Sequence, residues 1–381
     1  MRRTDIFFTV AAALCGSAVA ASAQSLSARL APQFQTYSLG DYDRTVSQLA
    51  VPMAAEMQLF SRMSLDVGTA YAQSQVKDGV TTSKISGLTD TQVRTNLTFG
   101  NDNVVFTGGI TLPTGQSTIP IDQIVAAGQI GGEFLAFPIP TMGAGLAATG
   151  GVALARNFGA WNLGAGGAFR MAQEYEPYQS GDSLANARFQ PGSEVRARLG
   201  VDRSIGQTGT LSFGFTFSRF TEDKASQAFS DSVARFAFNS GDRFISQVVY
   251  STRAFGAEVF LSAWDVIIAQ GIGISGETPG QNILNAAAAM GWNVGRMTLE
   301  PNIEARLWTV GGSTEFSTGS PVVVSGGREG IMGVLGLRSR IPAGVLTLYP
   351  GVAFSAGKIG RGTQESSLTG FRGTLTAHLS R

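Results

Sequence analysis

The chain has 381 residues, with 28 Lys and Arg, 27 Asp and Glu, one His and one Cys. It holds 49 glycines and only 14% charged residues, against a usual charged share of about 25%. Low charge with 43% apolar content opposes disorder, and the missing basic excess opposes a nucleic-acid binder. One His and one Cys exclude a histidine metal cluster and a disulfide framework, and no cofactor motif is expected.

Arg2 and Arg3 open the chain, Ile6 to Leu14 is mostly apolar, and Ala21-Ser22-Ala23 precedes Gln24. A basic start, a short apolar core and an A-x-A site read as a cleaved secretory signal peptide over residues 1–23. The apolar run is shorter than the ~20 residues of a membrane helix. Cys15 lies inside it, and the preceding Ala12 and Leu14 do not suit lipidation. Cleavage leaves no thiol, and 26 basic residues against 26 acidic ones.

Residues 24–381 then read as one domain. Ile124 to Ala155 is weakly polar but broken by Gln129, Glu133, Pro138 and Pro140, which disfavours a membrane helix. Alternation with period two is the stronger signal. Leu49, Val51, Met53, Ala55, Met57 and Leu59 share one face. So do Val93, Thr95, Leu97 and Phe99, then Leu211, Phe213, Phe215 and Phe217, then Phe371, Leu375, Ala377 and Leu379.

Such segments run ~10–14 residues, which suits a tilted membrane strand of ~9–11 better than a globular strand of about five or six. Sixteen are expected: 26–38, 46–59, 62–76, 90–100, 103–112, 142–156, 159–173, 193–203, 209–220, 242–253, 256–268, 282–294, 297–309, 329–340, 344–357 and 369–380. Parity is mixed over 242–268 and 329–340, and twelve or fourteen strands also fit. Short turns alternate with long connections near Lys77–Asp90, Pro113–Met142, Glu174–Pro191, Glu222–Gly241, Gln270–Gln281, Gly311–Gly327 and Lys358–Ser367. This is the pattern of an all-β, transmembrane, antiparallel up-and-down barrel of the Gram-negative outer membrane.

The expected partners follow from that setting. They are the lipid bilayer, lipopolysaccharide, the barrel-assembly machinery and a small solute, with no nucleic acid.

Three motifs carry a blander reading. Gly271-Ile272-Gly273-Ile274-Ser275-Gly276 matches a dinucleotide pattern, but Glu277-Thr278-Pro279-Gly280 opposes the helix it needs, so a loop is expected. Gly181-Asp182-Ser183-Leu184 spells a hydrolase start, yet the only His, His378, is not placed as a base. Glu300 and Glu304 with Arg306 read as a wall ion pair, not as a catalytic pair.

Basic residues are lopsided, with 24 Arg to four Lys. The alternation puts Arg29, Arg62, Arg94, Arg170, Arg196, Arg198, Arg306, Arg338, Arg340 and Arg372 on the lumen face. Glu56, Asp66, Glu194, Asp202, Glu300 and Glu304 oppose them. Either these charges brace the wall as pairs, or the excess makes the lumen prefer anions. The apolar stretch Pro113–Met142 either folds into the lumen or hides a strand pair around Ile124–Phe137.

The run from Asp90 to Gly100, with Gly109-Ile110-Thr111-Leu112-Pro113-Thr114-Gly115 after it, resembles FadL-like barrels, nearest the phenol-degradation meta-pathway transporter group. The resemblance covers about 30 residues. It implies a monomeric barrel for uptake of hydrophobic or aromatic compounds. The overall expectation is an outer-membrane channel for passive uptake of small hydrophobic, aromatic or anionic solutes. The alternative is a structural or assembly-associated barrel without transport.

Overall fold

The computed structural model describes residues 25–101, 103–178, 187–228, 233–273, 276–317, 320–360 and 365–380. The signal-peptide stretch and the Gly181–Leu184 tetrad lie outside them.

Sixteen antiparallel strands close into a transmembrane barrel. β1 comprises Leu26–Leu30 and Gln33–Leu39. β2 is Arg44–Phe60 and β3 Met63–Asp78. β4 comprises Thr81–Leu88 and Thr91–Phe99. There follow β5 (Val104–Leu112), β6 (Ala147–Phe158), β7 (Trp161–Ala172) and β8 (Glu194–Ile205). β9 is Gly209–Phe220, β10 Arg243–Ala254, β11 Ala257–Ile268 and β12 Gln281–Val294. β13 (Met297–Val310), β14 (Gly327–Ala343), β15 (Leu346–Ile359) and β16 (Ser366–Ser380) complete the wall.

β16 pairs with both parts of β1, from Ser27↔Ser380 to Leu39↔Leu368, so no strand edge is left along the seam. That closure matters because hydrocarbon offers no partner for a free amide or carbonyl.

The break in β1 has a cause in two prolines. Ala31 faces Pro52 and donates its N–H to the Pro52 carbonyl at 3.0 Å, but Pro52 has no N–H to return. On the other side, Leu375 N–H still reaches the Pro32 carbonyl at 2.9 Å. The sheet keeps what pairing the prolines allow.

Alternation sets the two faces. Phe106, Leu154, Leu199, Phe213, Ile303, Leu335 and Phe354 point outward and are 44–65% exposed. An apolar belt of this kind is stable only against lipid. One rim carries short turns, such as the two-residue hairpin Phe255–Gly256, where both residues have positive φ (55° and 72°) as a tight hairpin demands.

The other rim carries the long connections. Several contain further strands: Ala187–Gln190 pairs with Asp223–Ala228, which pairs with Val233–Phe238. Gly271–Gly273 and Gly276–Thr278 form a small hairpin, so no helix follows the glycine motif.

One expected loop is corrected. Lys77–Asp90 is not a loop: β3 runs to Asp78, turns at Gly79, where φ is +55°, and returns as Thr81–Leu88. The outward residues there include Gln75, Lys77, Lys84 and Ser86, so the extension is polar outside and lost the alternation signal.

The closure makes a directional prediction. Leu335→Arg, at mid-height on the outer face, should lower folding stability in vesicles by about 2–4 kcal/mol. The inward Ser212→Arg on β9, opposite Asp202, should cost much less. Urea titration of tryptophan fluorescence compares the two.

Candidate functional site: a lumen narrowed by an inserted segment

Between β5 and β6, residues 113–146 turn into the barrel. The segment holds a 3-10 turn, Ile121–Gln123, and one short helix, α1 (Ile124–Ile130). It forms no strand pair among the described residues, which decides between the two sequence readings in favour of insertion.

Its apolar side chains explain why it stays inside. Ala126, Ile130, Phe134, Leu135, Phe137 and Met142 are buried, together with wall residues Val46, Val76, Ile85, Met332 and Leu368. Tyr37 meets Phe137 edge-on at 5.6 Å, and Phe134 stacks on Trp308 at 5.6 Å. Full burial of each such side chain contributes about 1.5–3 kcal/mol. Gly330 is needed here, because a Cβ at that position would lie 2.7 Å from the Phe134 ring.

Apolar burial brings backbone polar groups with it, and wall side chains satisfy them. Gln48 donates to the Ile139 carbonyl at 2.7 Å and accepts from the Ile139 N–H at 3.0 Å. Gln35 and Tyr37 both donate to the Leu135 carbonyl, at 2.8 and 3.1 Å. Arg306, only 5% exposed, donates to the Phe134 carbonyl at 2.5 Å and to Glu304 at 2.5 Å. Arg243 reaches Glu133 at 3.0 Å.

The stems are pinned by Asp90, at the break in β4. Its carboxylate accepts from Gly115 N–H at 3.0 Å, Ala144 N–H at 2.7 Å and Gly145 N–H at 3.1 Å. One side chain thus holds the departing and the returning chain. A Cβ on Gly115 would sit 2.2 Å from the Met142 carbonyl, so the stems touch there.

The segment lies against the wall from β4 through β1 to β13, and Arg243 of β10 reaches its Glu133. On the turn side of it is a cavity of about 870 Å³, lined by Arg29, Gln33, Glu304, Arg338, Arg372 and His378 among others. His378 shares a hydrogen bond of 3.0 Å with Ser27. A second cavity of about 370 Å³ lies against Arg94, Thr149, Arg170, Glu194 and Arg196.

The expected charges sort into two groups. Arg94 pairs with Asp66 at 3.1 Å, Arg196 with Glu194 at 2.6 Å, Arg306 with Glu304, and Arg338 with Glu300. Arg29, Arg170, Arg198, Arg340 and Arg372 also fall on inward strand positions, but among the described residues no carboxylate lies within 4.0 Å of them. Glu56 and Asp202 are the inward carboxylates of the expected set with no cation that close.

Arg62 departs from expectation. β3 begins at Met63, one residue later than the alternation suggested, and Arg62 sits exposed in the turn. The alternation also missed Arg44, Arg243 and Arg253, which pair with Asp78, Glu133 and Glu258. All three lie near a strand end, where one face is no longer apolar. Gln35 and Gln48 were missed because a polar residue facing a polar lumen carries no signal of its own.

No protein-family model and no curated protein matches the sequence. Solved structures similar to the chain are outer-membrane proteins. A loop L8 deletion mutant of OmpT from Vibrio cholerae has a TM-score of 0.45 at 12% identity, over 93% of this chain and 99% of that one. The CymD monoaromatic hydrocarbon channel has 0.44 at 6%, over 94% and 89%. An anion-selective porin from Comamonas acidovorans has 0.42 at 12%, over 93% and 100%. Likeness at this level adds nothing to what the barrel itself shows.

Asp90→Ala removes three charge-assisted bonds from the segment's base. It should lower stability by about 1.5–3 kcal/mol and expose residues 115–144 to limited proteolysis. Cleavage mapping on the folded variant checks this; an uncut segment would show that the apolar contacts alone hold it.

Proposed function

We propose that the chain is an outer-membrane channel for passive diffusion of small solutes, with a preference for anions. The observation that carries this reading is the imbalance left after pairing. Of the expected lumen charges among the described residues, five inward guanidiniums lack a carboxylate within 4.0 Å, against two inward carboxylates, Glu56 and Asp202, that lack a cation; the Asp90 carboxylate is held by three backbone N–H groups. Paired charges brace the wall and cancel at short range, whereas unpaired ones set the potential a passing ion meets. At physiological ionic strength the field decays over about 8 Å, so these residues act on solutes within the lumen itself.

The mechanism has no covalent step. Solute enters beside the inserted segment, meets Arg170 and Arg198 on β7 and β8, and continues past Arg372 and Arg29 toward the turn rim. Ile121 and Val125 of the segment stay 46% and 52% exposed, so the narrow part offers apolar surface as well. This supports passage of hydrophobic or aromatic solutes, as the resemblance to FadL-like barrels implies. Anionic solutes with an apolar body suit both surfaces. The setting implies export through a signal peptide, insertion by the barrel-assembly machinery, and contact with the bilayer and lipopolysaccharide.

Planar-bilayer recording tests the reading. A salt gradient should give a reversal potential of anion sign. Arg29→Gln with Arg372→Gln should reduce the anion-to-cation permeability ratio about fivefold at low salt, from about 1 kcal/mol for a contact charge in water. Cation preference in the parent protein would overturn the anion assignment. Absence of conductance would return the barrel to a structural or assembly role.

A further inference from the structure

Near the turn rim, two arginines two strands apart face outward instead of inward. Arg156 on β6 and Arg203 on β8 occupy the lipid side, flanking β7 near the turn rim. Their placement is shown by the register: Arg156 lies opposite Leu163, which lies opposite Val201, and Arg203 lies opposite Trp161, which lies opposite Phe158. Each guanidinium rests on a ring, Arg156 at 5.2 Å from the centroid of Phe158 and Arg203 at 4.7 Å from Trp161. Among the described residues neither has a carboxylate within 4.0 Å.

A charge on the lipid face is costly at the bilayer midplane and nearly free at the interface, where a long side chain extends toward water. Both residues stand three positions from the turn glycines Gly159 and Gly206. They therefore sit at the headgroup level of one leaflet, held by aromatic rings that favour the same depth.

Immediately inward from them the outer surface is hollow. Leu154 and Leu199 are directly opposite Ala165 on either side, so the small residue leaves a trough between two bulky ones. The trough measures about 620 Å³ and is lined by Val104, Leu154, Leu163, Leu199 and Val201, with Arg156 at its mouth. Leu154 and Leu199 are 53% and 57% exposed along it.

The geometry points to a specific site for one anionic phospholipid on this face, its phosphate held by Arg156 and Arg203 and one acyl chain lying in the trough over Ala165. The occupant follows from charge complementarity. Two cations without carboxylate partners stand at the polar end, and an apolar channel leads from them toward the membrane interior. A zwitterionic lipid brings a cationic group to the same two arginines and is disfavoured. A second copy of this chain would have to bring carboxylates to a trough that, apart from the two arginines at its polar end, is lined mainly by apolar side chains. The proposal needs the barrel to span a bilayer but not to conduct.

Native mass spectrometry of the full mature chain tests it, with phosphatidylglycerol and phosphatidylcholine of identical acyl chains added in equal amounts. The parent protein should retain phosphatidylglycerol preferentially through mild activation. Arg156→Gln with Arg203→Gln should lower that retention by about fivefold for each charge removed. Ala165→Phe, which fills the trough and keeps both charges, should lower retention of either lipid. Conductance should stay at the parent value in both, since none of these residues faces the lumen, and heat-modifiable migration verifies that both fold. Equal retention of the two lipids by the parent, or parent-like retention by the double variant, would overturn the site. So would disulfide cross-linking of Ala165→Cys copies in membranes, because it would put a second chain in the trough.

Discussion

A peptide group inside hydrocarbon has nowhere to turn for a hydrogen bond except another peptide group, and each one left unmatched costs several kcal/mol. The architecture answers this demand by joining β16 to β1 across both halves of the broken first strand. Once the wall is closed, the rest follows from which way side chains can point. Outward positions must suit lipid, inward positions are free to be wet, and chain that does not fit the wall must go to a rim or into the lumen.

The inserted segment is the instructive case, because it obeys the same rule in a different solvent. It is too apolar for a water-exposed loop, so it buries Phe134, Leu135 and Phe137 against the inner wall. That burial removes its carbonyls from water, and Gln35, Gln48 and Arg306 replace the lost partners. The wall residues doing so are polar inside a barrel, where polarity is ordinary, and their partners lie about 90 to 170 residues away in sequence. The lumen that remains is therefore asymmetric: filled and pinned at the level of the segment on the β1 side, with a cavity beside β7 and β8.

The sixteen strands were legible because lipid and lumen impose opposite demands on neighbouring residues, and the alternation of Leu, Val and Phe with Ser, Thr and Arg records both. Where both faces of a strand are wet, that record vanishes. Thr81–Leu88 was read as loop because its outer face is polar, with Lys84 and Ser86 where a membrane strand would carry Leu or Val, while its inner Ile85 packs on the inserted segment. Arg62 falls in the turn one position before β3, where the alternation no longer assigns it a face, although its carbonyl still accepts from Thr98 N–H. The apolar content of Pro113–Met142 signalled something unusual, but two structures satisfied it equally. Only the partners of Phe134 and Leu135, on β13 and β1, distinguish them, and nothing local to the segment names those partners. Arg94 and Arg170 each face a carboxylate across the strand, Asp66 and Glu194, but Glu194 is taken by Arg196 two residues along its own strand, a choice that alternation alone does not reveal.

Asp90 gathers the amides of Gly115, Ala144 and Gly145 at one point on the wall. The 28 residues between Gly115 and Ala144 consequently leave and rejoin the barrel through a single doorway about one side chain wide. In topological terms the inserted segment is a detachable cassette: its length and chemistry can drift, or be exchanged by grafting, while the registers of β5 and β6 stay as they are. A barrel built this way can change what fills its lumen without refolding its wall, provided the doorway keeps its carboxylate and its glycine.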